Sequence, residues 1–477
     1  MSTVDNTLGA LNSLPHPAEG ERSPILVLGF FGMAVVVLML LGGSIGRYLI
    51  PMAATGTAYL LYRRAPATYV GFVWWLWFLS CFLRRMVDYR SGFVESSPIV
   101  AAPFLASLVC MPALFHRAEA WKLRSSFPFV LAFASALYGL GVGFLCIPKK
   151  ILLMSALGWF APLVFGFFVF SEFADADRRE ALMNSLQTTF RWGVLLMGAY
   201  GVIQYYLAPA WDVLWMTESK MGSIGNPEPF GIRVFSTMNG PGALAFTLVA
   251  GLMLLLSQRG IVPVLAGAAG CATLLLSSVR SAWAALLLAI LLLAIRDKKY
   301  FIRLTVAAVL LGVCIAGAMA IEPIRENVQN RFSSFTDMKD DTSYQDRQSG
   351  HEKMTAYAAD EPFGTGLGTM DANFTGKTAL GTRDSGLWEI ALSLGWVGGA
   401  VYLAALGLLM WNAWRPGSSR TGTELIAACI CIGLISQMLL GSVMLGVTGC
   451  TIWMFGAIAM TSSDAAVAPA EGPKDGN

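Results

Sequence analysis

Charge is what this sequence has least of. Lys, Arg, Asp and Glu together make up 13% of its 477 residues, against about 25% in an average soluble domain. Hydrophobic residues reach 56% and the mean hydropathy is +0.61. No globular core hides that much apolar surface from water, so lipid is the solvent for most of the chain. The formal net charge of +3 is too small to argue for nucleic acid as a partner. Histidine is equally scarce: His16, His116 and His351 are far apart and form no metal cluster. The eight cysteines (Cys81, Cys110, Cys146, Cys271, Cys314, Cys429, Cys431 and Cys450) all lie in or beside apolar runs, with no paired spacing. That argues against a disulfide framework or a zinc site and makes them small apolar core residues. A cleavable signal is missing too. The first 24 residues are polar and lack a short apolar core, so the run from Ile25 to Leu41 reads as a retained span.

What is there is a series of apolar runs, each near the roughly 20 residues a spanning helix needs. They lie near 25–42, 45–62, 68–82, 98–115, 127–146, 151–171, 190–208, 241–257, 261–278, 281–295, 303–321, 386–411, 424–441 and 444–461. The expectation is an all-α polytopic membrane protein of about 12–14 transmembrane helices. Between Ile261 and Ile295 the only charge is Arg280. One helix of that length would run about 50 Å through a hydrocarbon core of about 30 Å. The chain is therefore expected to turn back at Ser277-Ser278-Val279-Arg280-Ser281, with Arg280 at a hairpin tip.

Lys and Arg in the short loops set the orientation. With both termini in the cytoplasm, the inner loops hold Arg63 and Arg64; Arg117, Lys122 and Arg124; Arg178 and Arg179; Arg259; Arg296, Lys298 and Lys299; and Arg415 and Arg420. Arg84, Arg85 and Arg90 break the pattern, falling in an expected outer loop after the run at 68–82. The organisation then reads as a cytoplasmic tail over 1–24 and transmembrane helices over 25–321 with an outer segment at 209–241. A large periplasmic loop over 322–385, C-terminal transmembrane helices over 386–461 and a disordered cytoplasmic tail over 462–477 complete it. Short helices are expected near 324–335 and 343–359, and Pro362-Phe363-Gly364-Thr365-Gly366-Leu367-Gly368 reads as a turn-rich passage.

Four features gather on the outer face. Arg233 to Gly242 (RVFSTMNGPG) leads into a span, Arg280 sits at the hairpin, Arg347 and His351 lie in the large loop, and Arg383-Asp384 enters the next span. Guanidinium groups bind phosphate in a bidentate fork and keep their charge. A carboxylate beside them can take a proton from an alcohol. The competing reading is that interfacial arginines merely reach toward lipid headgroups. Other patterns carry less. Phe374-Thr375-Gly376-Lys377-Thr378 has Asp371 where a phosphate-binding loop needs its first Gly. Asp337, Asp340, Asp341 and Asp346 read as a solvated acidic loop. Gly139 and Gly143 have the spacing of close helix packing.

Taken in order, these stretches resemble the O-antigen ligase and polymerase superfamily of bacterial surface polysaccharides, over roughly residues 190–460. The resemblance rests on Arg233-Val234-Phe235-Ser236-Thr237-Met238-Asn239-Gly240-Pro241, on Leu276-Ser277-Ser278-Val279-Arg280-Ser281, on Pro362 to Gly368 after Arg347, and on Asp384-Ser385-Gly386-Leu387-Trp388-Glu389 through Gly395-Trp396-Val397-Gly398. It implies a GT-C-like architecture with one large extracytoplasmic loop in a bacterial inner (plasma) membrane. It implies a glycosyltransferase that moves glycan from undecaprenyl pyrophosphate to a sugar hydroxyl, with no metal, cofactor or nucleotide sugar. Arg233 and Arg280 would hold the pyrophosphate and Asp384 would act as base. Arg347, Arg383, His351 and Asn239 would contact substrate. The implied partners are the lipid-linked oligosaccharide, the bilayer, a chain-length regulator and a flippase. Ligases of this group carry His where this chain has Asp384, which favours a polymerase of exopolysaccharide or O-antigen type. A ligase, or a transporter of lipid-linked oligosaccharide, is the alternative. A transporter more often places ionisable groups deep in several spans or has symmetric broken helices.

Overall fold

A computed structural model describes residues 24–41, 43–221, 224–300, 312, 354–370, 385–415 and 422–465. Among these residues the regular structure is helical, apart from one isolated bridge between Gly225 and Ile232. The main helices are α1 (Pro24–Leu41), α2 (Gly46–Arg64), α3 (Pro66–Ser91), the short α4 (Ala102–Leu108) and α5 (Ala113–His116), α6 (Phe127–Cys146), α7 (Lys149–Glu172) and α8 (Ala176–Leu207). They continue with α9 (Ala210–Ser219), α10 (Pro241–Leu255), α11 (Ile261–Leu276), α12 (Arg280–Arg296), α13 (Gly386–Trp414), α14 (Gly422–Ile435) and α15 (Gly446–Ala465). A helical segment over 354–360 lies between α12 and α13. Among the described residues, six helices are long and apolar enough to cross a membrane, and four shorter apolar ones accompany them. The protein is an all-α, multi-pass membrane protein.

Each apolar run of the sequence falls on helical structure, except that at 303–321, which lies almost wholly outside the described residues. Proline opens several helices, at Pro66 in α3, Pro128 in α6 and Pro241 in α10, where its missing N–H costs nothing. The core forms where α15 packs on α7, α11 on α8 and α13 on α6. Its centre is aromatic, with Trp74, Phe190, Phe165, Tyr402 and Trp453 buried together in one cluster.

Two sets of polar contacts mark opposite ends of the bundle. At one end Glu172 pairs with Arg117 at 2.5 Å and Arg178 at 2.8 Å, Arg179 pairs with Glu424 at 3.2 Å, and Arg296 donates to the Trp414 carbonyl at 2.6 Å. At the other end Asp88 pairs with Arg47 and Arg84, both at 3.2 Å, and the Gly386 N–H donates to the Gly441 carbonyl at 3.0 Å.

The second set corrects one expectation. Arg84, Arg85 and Arg90 are not in a loop. Helix α3 continues to Ser91, carrying all three. Arg84 and Asp88 lie four residues apart on that helix and bind each other, and Arg90 donates to the Met39 carbonyl at 2.9 Å. Arginine whose charge is paired and whose N–H groups have carbonyl acceptors can be buried in a helix end. A hydropathy window stops at the first such charge and cannot see its partner.

Helix α13 is broken at Gly395, whose φ of 67° is left-handed. An unbroken helix would bond the Trp396 N–H to the Leu392 carbonyl. Here the loop at 362–368 takes both groups: Trp396 N–H donates to the Pro362 carbonyl at 2.8 Å, and Thr365 N–H donates to the Leu392 carbonyl at 2.8 Å. Irregular backbone at membrane depth is tolerated only where protein satisfies it in this way. A Cβ at Gly395 would stand 2.3 Å from the Phe363 carbonyl carbon, so only glycine fits. The same loop lies on the Gly139/Gly143 groove of α6, with the Leu367 N–H donating to the Gly139 carbonyl at 3.0 Å. The glycine spacing thus admits a loop as well as the α13 side chain Leu394.

Candidate functional site at the Arg233 end

Two short turns meet at this end, and each is shaped by the other. The first is the segment from Gly225 to Gly240; the second is Ser277-Ser278-Val279, between α11 and α12. Arg233 joins them. Its Nε donates to the Ser277 carbonyl at 2.9 Å and its Nη2 to the Ser278 carbonyl at 3.3 Å. Those carbonyls end α11, where helix acceptors lack partners and a cation is favoured. Ser278 has a left-handed φ of 54°, and two residues later Arg280 opens α12. The fold therefore brings the two predicted pyrophosphate-binding arginines to one turn, both half-buried.

Asn239 lies on the same segment, just before α10. Its Oδ1 is buried and accepts no hydrogen bond among the described residues. A Cβ at Gly240 or Gly242, on the same segment, would meet nothing within 4 Å, so the backbone there borders open space. A buried acceptor left without a donor can take a hydroxyl or amide hydrogen from a ligand.

The segment is held from below by residues that the sequence reading did not assign. Arg85, fully buried, donates its Nη1 to the Met238 carbonyl at 2.6 Å and its Nη2 to the Ser236 carbonyl. Its Nε lies 2.8 Å from Oδ1 of the equally buried Asp212, on α9. Gln204 of α8 closes the network, donating to Asp212 Oδ2 at 2.8 Å and accepting from the N–H groups of Phe235 at 3.0 Å and Ser236 at 2.8 Å. Tyr200 adds a hydrogen bond to Asp212 Oδ2 at 2.7 Å. The guanidinium of Arg85 also stands 4.9 Å from the Phe235 ring centroid, in cation–π range. This support fixes Ser236 in a left-handed conformation, φ 49°, that a serine on its own rarely adopts. The only early signal was the arginine group that offended the orientation rule.

Arg347, His351, Arg383 and Asp384 lie outside the described residues. The chain that follows them is described. Ser385 and Gly386 are buried, and α13 starts at the Arg233 end, because its far end at Trp414 meets Arg296, the far end of α12. A second carboxylate, Glu389, sits in the first turn of α13, buried, and accepts from the Ser442 hydroxyl. The sequence pattern alone gives Glu389 no role.

Residues 264–403 match the family described as O-antigen ligase. The match supports the O-antigen ligase and polymerase superfamily. The O-antigen ligase stretch takes in the Ser277–Arg280 turn, the loop at 362–368 and α13 through its break at Gly395, while Arg233 and its buried support lie before it. Members of this superfamily are glycosyltransferase-like ligases and polymerases, which supports a general enzyme role. No curated protein and no solved structure matches the chain.

Proposed function

We propose that this protein is a polymerase of lipid-linked polysaccharide repeat units at the outer face of a bacterial inner membrane. It transfers glycan from undecaprenyl pyrophosphate to an acceptor sugar hydroxyl. The observation that carries the reading is the fork of Arg233 on the turn that presents Arg280, a turn that itself lies inside the stretch matching the O-antigen ligase family. Two permanent cations beside one turn, half-buried, suit a pyrophosphate that must leave with its charge neutralised.

The chemistry assigned to the site balances without a metal or a nucleotide. The acceptor oxygen forms a bond to the anomeric carbon as the bond from that carbon to the pyrophosphate oxygen breaks. Asp384 accepts the hydroxyl proton, and undecaprenyl pyrophosphate leaves against Arg233 and Arg280. Attack from the opposite face inverts the anomeric carbon through an oxocarbenium-like state, as in inverting glycosidases. Arg347, Arg383 and His351 are assigned to positioning phosphate and sugar, and Asn239 Oδ1 to a donor on the substrate. The acidic residue at position 384, where ligases of the superfamily carry His, favours polymerisation.

Ligation to a lipid or protein acceptor is the second reading, favoured by the description of the matching family. The acceptor separates the two. Protein reconstituted in lipid with undecaprenyl-pyrophosphate-linked repeat units alone should yield a ladder of lengthening glycans. A ligase releases product from the same donor only when its separate acceptor is added, and that result would replace the polymerase reading.

A further inference from the structure

The two predicted pyrophosphate arginines are not the only cations here with an unusual setting. Arg191 lies midway along the 32-residue α8. It makes no hydrogen bond or ion pair among the described residues, and its Nε is buried without an acceptor. A guanidinium cannot shed its charge, so a buried unpaired N–H of this kind calls for an anion.

The position of Arg191 in the bundle says where that anion comes from. On the Glu172 side, Ser185 donates to the Ala67 carbonyl at 2.9 Å, one residue into α3. Gln187 donates to the Ser257 hydroxyl at 3.3 Å and its carbonyl accepts from Gln258 at 3.1 Å, just past the end of α10. The ends of α3 and α10 are therefore level with residues 185–187, and Arg191 stands about 6 Å deeper, one helical turn. On its other flank Gly198 lies against Ala269 and Gly201 against Thr273, so Arg191 is level with the first turn of α11.

The seam between α8 and α11 at this level is half polar and half apolar. Thr188 and Asn184, one and two turns back toward the helix end, are exposed. Trp192, Ile261 and Leu265 are exposed around it, with Ile261 at 69%. Beside Gln187, Gln258 keeps a buried Oε1 that accepts nothing among the described residues. The missing complements are thus an anion for Arg191, a hydrogen donor for Gln258 Oε1, and hydrocarbon over Trp192, Ile261 and Leu265.

We infer that this seam is a binding site for an anionic glycerophospholipid of the phosphatidylglycerol type. The phosphodiester reaches Arg191 along Asn184 and Thr188, a headgroup hydroxyl donates to Gln258, and the acyl chains cover the apolar edge. The site lies on the side of the bundle opposite Arg233, so it is separate from the proposed transfer reaction. Unpaired cations within membrane helices mark such sites when lipid phosphate is their only available partner.

The test uses the full chain, exchanged from detergent into mixed micelles. Retained lipid is counted by native mass spectrometry, with phosphatidylglycerol and phosphatidylcholine of identical acyl chains in competition. The wild type should retain one phosphatidylglycerol with a preference of roughly fivefold, the effect of one basic residue at a charged lipid surface. Arg191→Gln should lose the preference and Arg191→Lys should keep part of it, while Arg259→Gln keeps it. No preference in the wild type would overturn the inference, whatever the variants do. So would full retention by Arg191→Gln. Displacement of the lipid by an equal concentration of inorganic phosphate would also overturn it, showing a site for any phosphate. Should Arg191→Gln fail to fold, the wild-type preference and the Lys variant decide.

Discussion

Two of the irregular stretches of backbone among the described residues are held in different ways. The loop at 362–368 is held mainly by backbone: its N–H and C=O groups splice into the break of α13 and onto α6, glycines provide the room, and the Tyr138 hydroxyl adds a hydrogen bond to the Phe363 carbonyl at 2.8 Å. The segment from Arg233 to Asn239 is held by side chains from α3, α8 and α9, through Arg85, Gln204 and Asp212. A backbone splice admits one geometry and no adjustment. A side-chain cradle can be altered one hydrogen bond at a time, and so can the shape of the proposed site it carries.

The largest effect should come from the splice. Gly395→Val would drive a side chain into Phe363 at a left-handed φ. The expected outcome is loss of the folded, monodisperse protein in size-exclusion chromatography, because neither backbone can move aside. A well-folded Gly395→Val protein would remove the distinction between the two stretches.

Next come the charges of the cradle. Arg85→Leu or Asp212→Leu alone leaves an uncompensated buried charge and should cost about 3–5 kcal/mol. The double substitution should cost less than the sum, measured as a double-mutant cycle in denaturant or thermal unfolding. Strict additivity would mean that the 2.8 Å contact between them is not an energetic pair.

Gln204→Leu is a smaller change. It leaves the Phe235 and Ser236 N–H groups without their acceptor. The expected cost is about 1–3 kcal/mol, with weaker glycan-donor binding and little effect on the splice, read by hydrogen exchange at 362–368. Tyr200→Phe, which removes one hydrogen bond to Asp212, should cost only about 1 kcal/mol.

The apolar skeleton was legible in the sequence because helix length and hydropathy are local. The hairpin before Arg280 was foreseen from the length of the run alone, and α11 ends at Leu276 while α12 begins at Arg280. The glycine-rich passage after Pro362 was foreseen as turns, but its insertion into α13 was not, since nothing local marks Gly395 as the receiving break. Arg84, Arg85 and Arg90 were assigned to a loop because the contacts that hold them are mostly remote: Arg85 pairs with Asp212, Arg90 donates to the Met39 carbonyl, and the Asp88 that binds Arg84 one turn along also binds Arg47. Polar networks between distant helices leave no periodic trace. Arg347, His351, Arg383 and Asp384 were singled out from the sequence and lie outside the described residues.

The central claim is that Arg233 and Arg280 neutralise a departing pyrophosphate while Asp384 takes the acceptor proton. The most direct measurement is release of undecaprenyl pyrophosphate, with product length, by reconstituted wild type, Arg280→Ala and Asp384→Asn, each first shown to be folded. The account predicts a lengthening ladder and lipid release from the wild type, with neither metal nor nucleotide sugar, and near-complete loss of both in the two variants. Normal polymerisation by folded Arg280→Ala and Asp384→Asn would contradict it.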